Sequence, residues 1–121
     1  MDTIEGNKII AIFMGAHENP ENRWYNVRKG DNGYRLAKDF EYHSSWDWLI
    51  PAHNKARELF LNLPKEIRRD FLQSYKTYIE SHGFHNFFST FENQYTISSC
   101  WHKMVDFAKW YNDLSINKVN I

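Results

Sequence analysis

Hydrophobic side chains recur at helical spacing through the back half of the chain. Residues from about 45 to 61 predict a first helix, those from about 64 to 82 a second, and those from about 99 to 114 a last one. In the last segment Trp101 and Val105 lie on one apolar face. The back half therefore predicts three amphipathic helices.

Short apolar runs characterise the front half instead. Lys8 to Gly15, KIIAIFMG, is rich in β-branched residues and ends in glycine, so we expect a buried strand. Trp24 to Val27 predicts a second strand, and Gly33 to Glu41 a third, following the turn sequence KGDNG. Residues from about 8 to 42 thus predict a small antiparallel sheet.

Phe40 to Pro51, FEYHSSWDWLIP, connects these two halves. Ser44 and Asp47 have the spacing of a capping box, with Asp in place of the usual Glu. If the helix begins near Ser45, Pro51 lies inside it and bends its axis; alternatively, Pro51 starts the regular helix. The segment marks a helix start in either case.

Residues 84–97 leave two interpretations open. FHNFFSTF and QYTI can form a hairpin that turns at Glu92-Asn93, or a loop with a short helical piece, and strands are favoured. At 121 residues the chain is predicted to be a single domain, 1–121, with one core. The predicted class is α+β: a small antiparallel N-terminal sheet packed against about three helices.

The first and last helices are expected to touch each other through the side chains on their apolar faces. The predicted contact residues are Trp46, Leu49, Trp101 and Val105.

Charge and cysteine content narrow the possible partners and compartment. Fifteen basic and fifteen acidic residues balance, so no bulk attraction to nucleic acid or to an anionic membrane is expected. Cys100 is the single cysteine and cannot form an internal disulfide, which fits a reducing compartment. The start MDTIEGNK does not resemble a signal peptide, and the longest apolar run, Ile9 to Ala16, is far shorter than the roughly twenty residues of a membrane span. We therefore expect a soluble cytoplasmic protein.

Histidines and Cys100 suggest two kinds of chemistry. His82, His85, Cys100 and His102 give an H-x2-H followed by a C-x-H, which resembles part of a zinc site. Residues two apart on a helix diverge, however, so surface or capping roles for the histidines are favoured and no metal or cofactor is expected. Cys100 is either a thiolate at the start of the last helix or, more commonly, buried packing.

His43, beside two serines and Asp47, suggests a hydrolase. A catalytic triad converges from distant segments, so helix initiation explains this cluster better, and no catalytic residue is predicted.

The tryptophans are the candidate binding residues. Trp24, Trp48 and Trp110 fall off or at the edge of the helical stripes, so we expect them to be exposed surplus rings that anchor a contact. His53, on the first predicted helix, is the fourth candidate.

Two motifs resemble a known group of proteins. HSSWDWLIP at His43 to Pro51 and VDFAKWYN at Val105 to Asn112, together with the start NKIIAIFMG, are similar to small uncharacterised proteins of Bacteroidetes genomes and their phages. That group shares SWDWLMP-type and VEFIKWYN-type motifs. It usually has a strand pair where this chain has the predicted helix at 64–82. The resemblance implies an architecture and a phage or mobile-element origin, and assigns no activity.

The sequence thus favours a non-enzymatic accessory protein that acts through a protein partner or through homo-oligomer formation. No nucleic acid or membrane partner is expected. The alternative is a small-ligand or nucleotide-binding protein, or a minor enzyme, with a pocket near Trp48, His53 and His102.

Overall fold

The computed structural model describes residues 2–28, 30–74 and 96–116. Within these ranges a helix is followed by a three-stranded antiparallel sheet, a 3₁₀ turn and further helices, which confirms the α+β class. The elements are α1 (Thr3–Phe13), β1 (His17–Glu18), β2 (Trp24–Tyr25), β3 (Tyr34–Arg35), the 3₁₀ turn (Ala37–Asp39), α2 (Trp46–Leu61), α3 (Lys65–Ser74) and α4 (Ile97–Ile116).

The strand predicted at Lys8 to Gly15 is wrong, because this segment belongs to helix α1. Asp2 caps the helix, its Oδ1 accepting from the Ile4 N–H at 2.8 Å. The buried positions recur at the spacing of a helix and not at that of a strand: Gly6, Asn7, Ile10, Ala11 and Phe13. The predicted strand began at Lys8, after this cap and the first helical turn, and the segment that it covered is rich in β-branched residues.

Gly15 ends helix α1 rather than a strand. Its φ of 94° is one that side chains disfavour, and its N–H donates to the Ile12 carbonyl at 3.0 Å. The Ala16 N–H donates to the Ala11 carbonyl at 2.9 Å. The pair of hydrogen bonds is a Schellman motif, so glycine here marks a helix end.

Lys55 links α2 to this end of α1. Its Nζ donates to the Phe13 carbonyl at 2.7 Å and lies 5.0 Å from the centroid of the Phe13 ring. A cation is favourable at a helix C-terminus, where carbonyls lack partners. Burial lowers the pKa of Lys55.

The sheet is small, with β2 in its centre. Trp24 pairs with Glu18 on one side and with Arg35 on the other. The third predicted strand, 33–41, is confirmed only at Tyr34–Arg35, because the chain then turns into the 3₁₀ segment.

Helix α2 has nearly the predicted bounds, but its N-terminus is capped differently. Its N-cap is Ser45, whose side chain makes no capping hydrogen bond, so the capping box predicted from Ser44 to Asp47 is wrong. Pro51 lies inside the helix, as the first of the two interpretations places it.

The other two predicted helices are found where the structure describes them. Helix α3 starts one residue after Pro64 and is described to Ser74, and the rest of the predicted 64–82 helix lies outside the described residues. Almost all of the 84–97 segment also lies outside them. Helix α4 extends slightly beyond the predicted 99–114 at both ends.

Helix α4 is the centre of the packing. It lies along α1 and also contacts α2, as expected for the first and last predicted helices. Leu49, Trp101 and Val105 are buried, and Trp46 packs partly buried against the core. Gly6 of α1 allows the closest approach: a Cβ there would meet the Trp101 ring, with Cη2 only 2.6 Å away.

A buried polar group is held between α1, α4 and the segment before α2. Asn7 is 1% exposed, and its Oδ1 accepts from Trp101 Nε1 at 2.7 Å. Its Nδ2 lies 3.2 Å from the Phe40 carbonyl and 2.9 Å from His43 Nδ1. Because buried amides need partners, these bonds fix the relative positions of the three segments.

Candidate functional site

Trp24 and Trp48 are core residues, so the expectation that they are exposed is wrong. They are 3% and 4% exposed. Both rings pack on Phe40, with centroid distances of 5.6 Å from Trp24 and 6.2 Å from Trp48. The structure thus brings these two tryptophans together, but inside the protein.

Trp110 and His53 do not add an exposed surface to this pair. Trp110 is partly buried and packs in another ring cluster, 5.0 Å from Phe71 and 5.9 Å from Phe107. His53 is buried on α2. The four predicted binding residues therefore do not form one accessible site.

The outer face of the sheet carries a row of rings that the sequence reasoning missed. His17, Tyr25 and Tyr34 are paired across β1, β2 and β3, and we call them the ring ladder. The His17 and Tyr25 rings stack 5.7 Å apart, and the Tyr25 and Tyr34 rings lie 6.4 Å apart. Tyr34 is 50% exposed and His17 is also exposed. Tyr25, between them, is half-buried, so the ladder is an aromatic strip that is accessible at its two ends.

Neighbouring side chains extend this strip without adding net charge. The Arg23 guanidinium carbon lies 4.6 Å from the centroid of the Tyr34 ring. Arg23 is paired with Glu21 at 3.2 Å. Leu36, two residues beyond Tyr34, is exposed as well. The surface is thus mainly aromatic, with its nearest positive charge balanced.

The alternation of side chains along β2, together with the strand register, places Tyr25 on the outer face of the sheet. Since Trp24 faces inward on β2, the next residue, Tyr25, must face outward, and its partners on both neighbouring strands share that side. The candidates chosen from the sequence were three tryptophans and His53, and none of them is a ladder residue, because the register that aligns the ladder is not apparent in strands of two residues.

Beside Trp48 is a small cavity of about 110 Å³. Its lining residues are Met14, Val27, Arg28, Tyr42, Trp48 and Pro51. His53 and His102 are not among them, so the pocket expected near these two histidines and Trp48 does not form as predicted. Ligand pockets usually measure about 300–1,000 Å³, and this cavity is too small for a nucleotide.

Tyr42 forms a buried wall of the cavity. Its hydroxyl donates to the Val27 carbonyl at 2.9 Å, and its ring meets Trp48 edge to face at 5.0 Å. Burial raises the pKa of Tyr42 far above its usual value, so the hydroxyl stays protonated. The hydroxyl proton is therefore held in the hydrogen bond to the Val27 carbonyl.

Arg28 lies at the cavity beside a carbonyl that Pro51 leaves without a helix partner. Pro51 has no N–H to donate to the Asp47 carbonyl four residues earlier. Arg28 Nη2 makes a long hydrogen bond to that carbonyl, 3.4 Å, while its guanidinium carbon lies 5.0 Å from the Trp48 ring centroid. Proline thus helps to position the arginine.

Arg35 also lies 5.0 Å from the Trp48 ring, but its charge is balanced. Its Nε and Nη2 each donate to Asp31 at 2.9 Å. The Arg35 hydrogen bond, opposed by burial, lowers the pKa of Asp31. Among the residues that the structure describes, Arg28 makes no ion pair.

The suggested metal and thiol chemistry gains no support from the placement of its residues. Cys100 is buried and burial raises its pKa, which disfavours the thiolate. His102 is exposed, and its Nδ1 lies 2.8 Å from the Ser98 carbonyl. His82 and His85 lie outside the described residues. Within residues 2–28, 30–74 and 96–116 no three metal-ligating side chains come together.

None of the helices in the described part of the chain is both long and apolar enough to cross a bilayer. In comparisons with known proteins, no family model matches the chain, and no curated protein and no solved structure is significantly similar to it.

Proposed function

We propose that this chain is a non-enzymatic accessory protein that binds another protein through the ring ladder of His17, Tyr25 and Tyr34. The observation that supports this is the row that these rings form on the outer face of the sheet, with His17 and Tyr34 exposed and Tyr25 half-buried between them. Tyrosine is enriched at protein interfaces because its ring buries a large area while its hydroxyl can still bond. The phage or mobile-element origin implied by the motif resemblance is part of the same proposal.

Charge favours a protein over a nucleic acid as the partner. Surfaces that bind single-stranded nucleic acid combine stacking rings with a positively charged groove. Here Arg23 is paired with Glu21, and the whole chain carries no net charge. A neutral aromatic strip suits a protein surface better.

Size disfavours the small-ligand alternative at the cavity beside Trp48. A second pocket, of about 300 Å³ and lined by residues 31–35, is a more open depression of the surface. The cavity beside Trp48 is about 110 Å³, below the usual range for a nucleotide or drug-sized ligand. The ladder is an open face, and an open face gives a partner protein more contact than it gives a small molecule.

The test combines light scattering on the purified protein with affinity capture from host lysate. The variant Tyr34→Ser removes an exposed ladder ring, and Leu61→Ser, at an equally exposed apolar position on α2, is the matched control. We expect Tyr34→Ser to lose a partner that the wild type and the control retain. A second copy of the chain as partner appears as a dimer that only Tyr34→Ser weakens. A strict monomer that captures nothing reproducible would overturn the proposal.

A further inference from the structure

The cavity beside Trp48 has features that the ring ladder does not use. We propose that it holds the carboxyl-terminal residue of a partner chain, with an aliphatic side chain inside the cavity and the terminal carboxylate on Arg28. This inference rests on the proposed function, since its occupant belongs to a partner protein. It adds a second and chemically distinct contact to the one at the ladder.

The size of the cavity fits one aliphatic side chain. Its volume is about 110 Å³, and an apolar cavity of about 150 Å³ can hold a benzene molecule, so a group somewhat smaller than benzene fits. That is the size of a leucine, isoleucine or valine side chain. Larger ligands would have to remain outside.

The walls of the cavity are mostly apolar. Met14, Val27, Trp48 and Pro51 contribute them, and the Tyr42 hydroxyl is already used by the Val27 carbonyl. A polar group entering here would lose its bonds to water without replacing them. The enclosed part of the occupant must therefore be apolar.

Arg28 gives this apolar site a charge preference. It is the charged residue in the lining, and within the described residues no carboxylate forms an ion pair with its guanidinium. The nearby Asp31 carboxylate accepts from the Arg28 backbone N–H at 3.1 Å, but it is paired with Arg35. A guanidinium has five N–H donors, and the contact to the Asp47 carbonyl is long, at 3.4 Å. Donors therefore remain for a carboxylate, which arginine binds in a bidentate geometry. Charge complementarity thus selects an anion at the cavity.

The combination of both features fits the end of a chain better than an acidic side chain. An Asp or Glu side chain carries its carboxylate at its own tip, so it cannot fill the cavity with carbon and also leave its charge at Arg28. In a carboxyl-terminal leucine, the side chain and the carboxylate branch from the same Cα. One group can then enter the cavity while the other stays beside the arginine.

The experiment is a titration with a short flexible peptide that ends in leucine, followed by calorimetry and by the indole N–H signal of Trp48 in two-dimensional NMR. The same peptide with an amidated C-terminus tests the charge, and one that ends in alanine tests the cavity. Arg28→Met removes the guanidinium, and Arg23→Met, which removes an arginine that stacks on Tyr34 instead, is the matched control.

We expect the acid peptide to shift the Trp48 signal, and the amide to bind roughly tenfold more weakly, because it loses a charge-assisted hydrogen bond. Arg28→Met should reduce acid-peptide binding to the level of the amide, whereas Arg23→Met should bind as the wild type does. The alanine peptide should also bind more weakly.

Three results would overturn the inference: no shift of the Trp48 signal at millimolar acid peptide, equal binding of acid and amide, or equal binding of 4-methylpentanoate and the peptide. The last result would assign the cavity to a small free acid. Tyr34→Ser should leave peptide binding unchanged. A negative titration together with capture that depends on Tyr34 would therefore reject this site and leave the ladder proposal standing.

Discussion

At the scale of single residues, Asn7 determines how three segments meet. Its side-chain amide cannot be flipped, because Trp101 Nε1 needs the acceptor oxygen and the Phe40 carbonyl needs the donor nitrogen. The nitrogen that faces His43 is therefore a donor, and His43 Nδ1 must accept. In the neutral ring, the proton of His43 is then on Nε2.

Replacing Asn7→Ala should lower the free energy of unfolding by about 3 kcal/mol, because it leaves the buried Trp101 N–H and Phe40 carbonyl without partners. Asn112→Ala is the control, since its amide makes a less buried bond to the Ile9 carbonyl and should cost about 1 kcal/mol or less. Urea unfolding measures both. Equal effects of the two substitutions would show that the Asn7 bonds do not determine the packing.

The Asp31 carboxylate predicts a pH dependence. The Arg35 hydrogen bond is the main cause that lowers the pKa of Asp31 in the folded protein, although burial opposes it. The carboxylate therefore stabilises the fold above its unfolded pKa of about 3.9, and this stabilisation is lost as the pH falls through the lower folded value. Asp31→Asn should be less stable than the wild type by about 1 kcal/mol near neutral pH, since Arg35 is partly exposed.

Urea unfolding of the Asp31→Asn variant and the wild type at several pH values tests this dependence. The difference in unfolding free energy should shrink below about pH 4. Asp39→Asn, which removes an exposed carboxylate, is the control for the loss of one negative charge. A gap between Asp31→Asn and the wild type that stays constant down to acidic pH would contradict the assignment.

At the scale of elements, Pro51 lowers the stability of helix α2 and also lines the cavity. It lies inside α2, is exposed, and leaves the Asp47 carbonyl to Arg28. Pro51→Ala should restore the helical hydrogen bond and raise the free energy of unfolding by about 2 kcal/mol, after allowance for the more flexible unfolded chain. It should also weaken binding of the leucine-ended peptide.

Pro64→Ala is the control for this substitution, because Pro64 precedes helix α3 and interrupts no helical bond. It should change stability little, or lower it slightly through the unfolded chain. The measurement is again urea unfolding. A Pro51→Ala protein that is less stable than the wild type would show that the proline fits this helix without strain.

Which elements the sequence predicts depends on the length of their pattern. Helices α2 and α4 are predicted nearly to their ends, because each repeats its apolar positions over many turns. Helix α1 was not predicted, since its isoleucines have strand propensity. Its helical face is recognised from its contact with α4. The strands of two residues each are too short to show alternation on their own.

At the scale of the whole molecule, the sequence predicted that aromatic rings form the candidate site, but it did not predict which rings. The aromatic content of the chain suggested rings beyond the needs of the helical stripes, but two of the expected rings, Trp24 and Trp48, fill the core between sheet and helices. Which rings face outward depends on the register of the strands, and this register comes from hairpin turns that propensity does not fix. The exposed tyrosines follow from it.

The role of the ring ladder is tested most directly by the dissociation constant of the captured complex for the wild type, Tyr34→Ser and Leu61→Ser. We expect Tyr34→Ser to weaken binding by more than about 1 kcal/mol, as for an interface anchor, with its unfolding free energy unchanged. Leu61→Ser, which removes an apolar side chain that is 57% exposed, should bind as the wild type does. Equal affinity of all three proteins would contradict the claim that the ring ladder is the binding surface.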